Sequence, residues 1–147
     1  MSTNFIEKAF QQALLAYQND EVPVGALIVK DNKVIAEAHN LVETLKNPCA
    51  HAEILAIQKA CEKLNVKRLP EYELYTTLEP CPMCSGAILH ARIKRVTYLA
   101  KDFKWGCDGS ILNYLQKNEF NHVCQTSYKP HNEYVKLLKS FFKSKRK

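Results

Sequence analysis

Residues 73–92, ELYTTLEPCPMCSGAILHAR, decide the fold. Glu73 to Thr77 reads as a short strand, rich in the aromatic and β-branched types that suit a pleated surface. Pro82 to Arg92 reads as a helix, since proline is tolerated in a first turn, with Ile88 and Leu89 in its interior. A further strand, Val96 to Leu99, follows. Upstream, Gly25 to Val29 is a short apolar run, Asp31-Asn32 turns the chain and Val34-Ile35-Ala36 returns it, as in a hairpin. A helix is expected to begin near Pro48 and to bury Ile54, Ile57, Cys61 and Leu64. The first segment places Ile6, Phe10, Ala13 and Tyr17 on one helical face after a Ser2-Thr3-Asn4 capping cluster. Ile111, Leu112 and Leu115 predict a short helix. Tyr134, Leu137, Leu138, Phe141 and Phe142 predict a last one over about 131–147. Strands alternating with helices imply an α/β fold around a central mixed sheet.

The 147 residues fit a single domain, 1–147, large enough to close a core without disulfides. No repeat, low-complexity tract or Gly/Ser-rich linker divides it. Neither a signal peptide nor an apolar run of about 20 residues is visible, so a cytoplasmic protein without membrane contact is expected. In that compartment the six cysteines are poor candidates for a disulfide scaffold, and a closely spaced pair is better explained by metal binding or catalysis.

The closely spaced pair is Cys81 and Cys84, in the opening turn of a helix. Their sulfurs face a common centre there, and unpaired backbone N–H groups favour the thiolate form. His51 would complete a three-ligand set. Three protein ligands leave a fourth tetrahedral position for water, which is the arrangement of a catalytic zinc and not of a structural one. Glu53, two residues after His51, supplies a carboxylate. Zinc brings the pKa of water to about 7, and the carboxylate can take its proton, pass it to a ring nitrogen and later to a departing amine. Glu53 is thus expected to be a proton shuttle and not a ligand. A lone cysteine pair of this spacing is as often half a zinc finger or a redox pair. Cys49, Cys61, Cys107 and Cys124 form no second pair, and a redox dithiol has no need of His-Ala-Glu upstream. H-x-E followed by P-C-x-x-C is the pattern of zinc deaminases acting on nucleobases.

The residues around these motifs resemble one family within that superfamily. The stretches are Glu21-Val22-Pro23-Val24-Gly25-Ala26, Ala50 to Glu53, Thr77 to Cys81 and Met83 to Ile93. Asp102, Lys104, Gly106, Gly109, Ser110, Asn121-His122 and Phe141-Phe142 follow. Together they resemble the bacterial-type tRNA-specific adenosine deaminases, which convert the wobble adenosine to inosine, and the similarity runs from about Phe5 to Phe142. The resemblance implies a three-layer α/β/α, cytidine-deaminase-like fold with about five strands, and a homodimer. It also implies one Zn2+ per subunit on His51, Cys81 and Cys84, with Glu53 catalytic. The partner it implies is a tRNA anticodon stem-loop whose target base is flipped into the pocket, with Asn40 contacting the nucleotide and Asp102 and Lys104 along the RNA channel. Cys49 stands where the family usually has threonine, close to the expected metal. Trp105, Cys107 and Asp108 are unusual in the active-site loop, and Asp108 would add negative charge near phosphates.

The net charge of +6 equals the six cations Lys136, Lys139, Lys143, Lys145, Arg146 and Lys147, which no acid accompanies. A basic end of this kind suits a polyanion, and the alternative is a solvated tail. By the resemblance, the last helix lies against the RNA. Two rival functions share the motif: a deaminase of a free base or nucleotide of the guanine or cytosine type, and a non-catalytic, zinc-containing RNA-binding subunit. The presence of Glu53 argues against the second, the basic end against the first.

Overall fold

The computed structural model describes residues 2–146, with side chains from Asn4 to Arg146. The helix α1 (Ser2–Gln18) leads into a hairpin of β1 (Gly25–Lys30) and β2 (Lys33–His39). A single turn, α2 (Val42–Leu45), precedes α3 (Ala52–Leu64), β3 (Glu73–Thr76), α4 (Pro82–Ala91) and β4 (Arg95–Tyr98). β5 (Gln125–Tyr128) and α5 (Asn132–Lys145) end the chain.

The strands form a five-stranded sheet in the order β2-β1-β3-β4-β5. β1 runs antiparallel to both β2 and β3, while β3, β4 and β5 are mutually parallel neighbours, so the sheet is mixed as expected. Alternate residues of each central strand serve opposite faces, the period-2 consequence of the pleat. Ala26, Ile28 and Leu74 pack with Ala52, Ala56, Ala60 and Ile88 of α3 and α4. Leu27, Val29 and Tyr75 pack with Phe5 and Ala9 of α1. Phe10 and Ala13 of α1 join Leu99, Ala100 and Tyr134, which brings α5 onto the same side. The result is the three-layer α/β/α arrangement.

Asp31 and Asn32 adopt positive φ of 51° and 65°, the two-residue turn that matches strand twist in a hairpin. Gly25 is required by packing: a Cβ there would lie 2.6 Å from the Ala13 nitrogen of α1.

Four expectations change. The helix expected from Pro48 begins at Ala52, because Asn47 Oδ1 accepts from Cys49 N at 2.9 Å and holds 47–50 as a turn. Its most buried stripe is Ala52, Glu53, Ala56, Ile57 and Ala60, with Cys61 and Leu64 only partly buried. Alanines win because they let the helix sit close to the sheet. No helix forms at Ile111–Leu115; Ile111 and Leu112 are exposed, and Ile111 N donates back to Gly106 O at 3.0 Å. Backbone donors there are drawn into a loop, so the apolar spacing alone misleads. β5 has no apolar signature in Gln125–Tyr128 and exists through its ladder with β4. The capping cluster falls on Ser2 and Thr3, whose side chains lie outside the described residues, as does Lys147.

Candidate active site

Two helix N-termini meet at the carboxyl end of β3, on one side of the sheet. His51 is the N-cap of α3 and Cys81 the N-cap of α4, both with extended backbone, and Pro82 opens α4. The strand leads straight into the site. Thr77 N donates to Gly25 O at 3.0 Å and Glu79 N to Ala100 O at 2.9 Å, which carries the ladder to within two residues of Cys81. Cys84 sits in the first turn of α4 and is buried.

His51 Nδ1 lies 3.6 Å from Cys81 Sγ and 3.4 Å from Cys84 Sγ. The three donor atoms all fall within 4.8 Å of one another. A nitrogen and a sulfur bound to one tetrahedral zinc are separated by about 3.6 Å, given bonds of about 2.0–2.1 and 2.3 Å. The residues therefore fit such an ion in number, chemistry and spacing. The hydrogen bond from Cys84, and then that with His51, bring the Cys81 thiol down to about 4. The same pairing pushes Cys84 up, so the dithiol shares a proton that a metal would displace. Cys49, next to the site in sequence, is exposed and stands outside this cluster.

Glu53 is 4% exposed, and burial pushes its carboxyl up to about 7. Such a group can both accept and release a proton near neutrality. It forms, with His51, Cys81 and Asn40, part of the wall of a cavity of about 630 Å³. Val22, Val24, Leu78 and Phe142 give that cavity apolar sides, and Asp102 and Trp105 belong to its rim. Asn40 is buried, and its Oδ1 accepts from Ala52 N at 3.0 Å, capping α3. Its amide NH2 is left as the group available to a ligand. Lys104 is exposed and is not among the residues lining the cavity.

The residue that sequence reading left without a role is Glu79. It is 1% exposed and accepts from Asp102 N at 3.1 Å, Asp108 N at 2.7 Å and Ser110 Oγ at 2.5 Å. One carboxylate thus pins the loop 102–110 beside the cavity. Gly106 is part of the same fit, since a Cβ there would lie 2.5 Å from Glu79 Oε1 and from Asp102 O. An acid inside the otherwise apolar and hydroxylic run Thr76-Thr77-Leu78-Glu79-Pro80 was the available signal. Asp108 corrects the expectation of charge facing phosphate. Its Oδ2 accepts from Tyr98 OH at 2.7 Å and its Oδ1 from Gln116 Nε2 at 3.1 Å, so the carboxylate ties the loop to the sheet.

A family model for MafB19-like deaminases matches residues 2–146. The tRNA-specific adenosine deaminase of Aquifex aeolicus (strain VF5) is 48% identical, over 97% of this chain and 94% of its own. That of Bacillus subtilis (strain 168) is 42% identical, over 97% and 89%. A solved structure from work on A-to-I editing by tRNA:A34 deaminases superposes with a TM-score of 0.89 at 41% identity, covering 92% of this chain and 99% of the other. With this likeness running the length of a chain whose His, Cys and Cys donors converge beside a buried glutamate, the protein belongs to the MafB19-like deaminases and, among them, to the tRNA-specific adenosine deaminases.

Proposed function

We propose that this chain hydrolyses adenosine to inosine at the wobble position of a tRNA anticodon, with release of ammonia. The observation that carries the reading is the buried Glu53 carboxylate in the wall of a nucleoside-sized cavity, beside three atoms spaced for one metal ion. His51, Cys81 and Cys84 would hold a single Zn2+ per subunit. When bound, the ion lowers the pKa of water and so provides the nucleophile at neutral pH. Glu53 takes one proton from that water and delivers it to N1 of the purine. It then takes the remaining proton from the hydroxyl now on C6 and passes it to the amino group as the C6–N bond breaks. Water supplies the carbonyl oxygen and ammonia departs, so the atoms balance. Asn40 orients the nucleotide through its amide NH2. The apolar walls exclude bulk water from the flipped base.

The full-length relatives and a basic last helix support RNA over a free base as the substrate. Phe142 of α5 lines the cavity, and Lys139, three residues earlier, shares its face. Asp102, on the cavity rim, and Lys104 in the same loop line the path of the RNA. The chain works as one deaminase domain, paired as a homodimer, in the cytoplasm. No helix among the described residues is long and apolar enough to cross a membrane.

The test is incubation of the zinc-loaded protein with an anticodon stem-loop bearing adenosine at the wobble position, followed by mass analysis. Inosine should form in the stem-loop, and free adenine, guanine and cytosine should be untouched. Turnover of a free base at a rate indifferent to RNA would reverse the assignment. RNA binding without any product would make the chain a non-catalytic subunit.

A further inference from the structure

Trp105 is the single tryptophan of the chain, and it is 63% exposed at the rim of the cavity. An indole left in water forfeits the burial that tryptophan normally gains, so its place calls for a partner. Among the described residues no aromatic ring pair includes it.

The exposure does not come from a loose backbone. Trp105 N donates to Asp102 Oδ1 at 3.1 Å, and Lys104 N donates to the same oxygen at 3.0 Å. Asp102 N is held in turn by the buried Glu79 at 3.1 Å, and Gly106 N donates to Asp102 O at 2.9 Å. The loop is a fixed mount that presents a flat aromatic surface beside the opening. Glu53, His51 and Cys81 line the same cavity, with Cys84 buried behind them, so a base under attack lies within it. A ring on the rim meets what leads into the cavity.

We propose that Trp105 is a stacking platform for a nucleobase next in sequence to the adenosine under attack, so that the site grips at least two consecutive nucleotides. This rests on the reading of the substrate as adenosine in RNA. Single-stranded loops offer unstacked bases, and aromatic side chains take them up face to face with little regard for sequence. Lys104, adjacent and exposed, supplies a cation suited to the linking phosphate.

The single indole makes the test direct. Titration of the zinc-loaded protein with an anticodon stem-loop should quench tryptophan fluorescence to saturation. W105A should raise KM for the stem-loop about 5- to 150-fold, the range of one lost base stack, while kcat changes little and W105F recovers most of the loss. An abasic site at one nucleotide flanking the target should cost the wild type about as much, and cost W105A nothing further. If the wild type makes inosine but W105A keeps its KM, or if the two losses simply multiply, the platform is wrong and the deaminase reading stands. Fluorescence that depends on protein concentration and not on RNA would overturn it as well, assigning the indole to contact with a second copy. If the wild type makes no inosine in the stem-loop, the substrate reading falls and the platform with it.

Discussion

His51 and Glu53 are two positions apart, a spacing that within a helix would send them to different faces. They reach one cavity because His51 is not yet helical: its φ of −75° and ψ of 151° turn the chain before Ala52. The motif was legible because its chemistry is local. Two cysteines three apart and a histidine with a carboxylate announce a metal and a base at any distance between the two pieces. Glu79 was not legible, since its role depends on donors 23 to 31 residues downstream. Cys49 misled in the opposite way, being close to His51 in sequence yet exposed. The division of labour at the site predicts a contrast between two substitutions. Glu53→Gln preserves shape but cannot shuttle a proton, so kcat should fall by about 10²- to 10⁴-fold. Metal content by elemental analysis and RNA affinity should stay at wild-type levels. His51→Ala should instead lose the metal, because two thiolates alone make a poor catalytic site. Full activity in Glu53→Gln would remove the shuttle from the mechanism.

Elements were legible where a pattern had one dominant cause. The hairpin follows from an apolar run, Asp-Asn and a second run, and α4 from a proline start and a Cys-x-x-Cys turn. β5 escaped because its polar residues are strand only by virtue of pairing with β4. The loop 102–110 escaped because side-chain carboxylates, and not backbone periodicity, set its path. That loop is also where stability and binding should separate. Glu79→Gln keeps the volume but turns an amide NH2 towards a site surrounded by donors, among them Asp108 N at 2.7 Å. Leaving one buried donor unsatisfied costs about 1–3 kcal/mol. Denaturant unfolding should show a loss of that size, KM for the stem-loop should rise, and metal content should hold. An unchanged midpoint would mean that the loop finds its position without the carboxylate.

The whole molecule joins two lines of chemistry that arrive from opposite layers. α3 and α4 bring the metal donors and Glu53 from one side of the sheet. α5, which packs with α1 on the other side, reaches the same cavity through Phe142. The resemblance already set the basic last helix against the RNA, but that its Phe142 forms part of the cavity wall was not legible in the sequence. On the proposed function, the end of the chain borders the RNA and is more than a tail for solubility. Deleting Ser144 to Lys147 removes Lys145, Arg146 and Lys147. Lys145 now meets Asp20 at 2.6 Å, but the side chains are 46% and 77% exposed, so the pair holds little energy and can yield to phosphate. Each cation that neutralises a phosphate of single-stranded RNA contributes about 0.7 to the slope of log affinity against log salt. The truncated protein should therefore bind an anticodon stem-loop more weakly at low salt, with a slope flatter by up to about 2. Chemistry on bound substrate, read as single-turnover inosine formation at saturation, should be unaltered because no group in the cavity has moved. A slope identical to that of the full chain would place the phosphates elsewhere, on the exposed lysines nearer the start of α5.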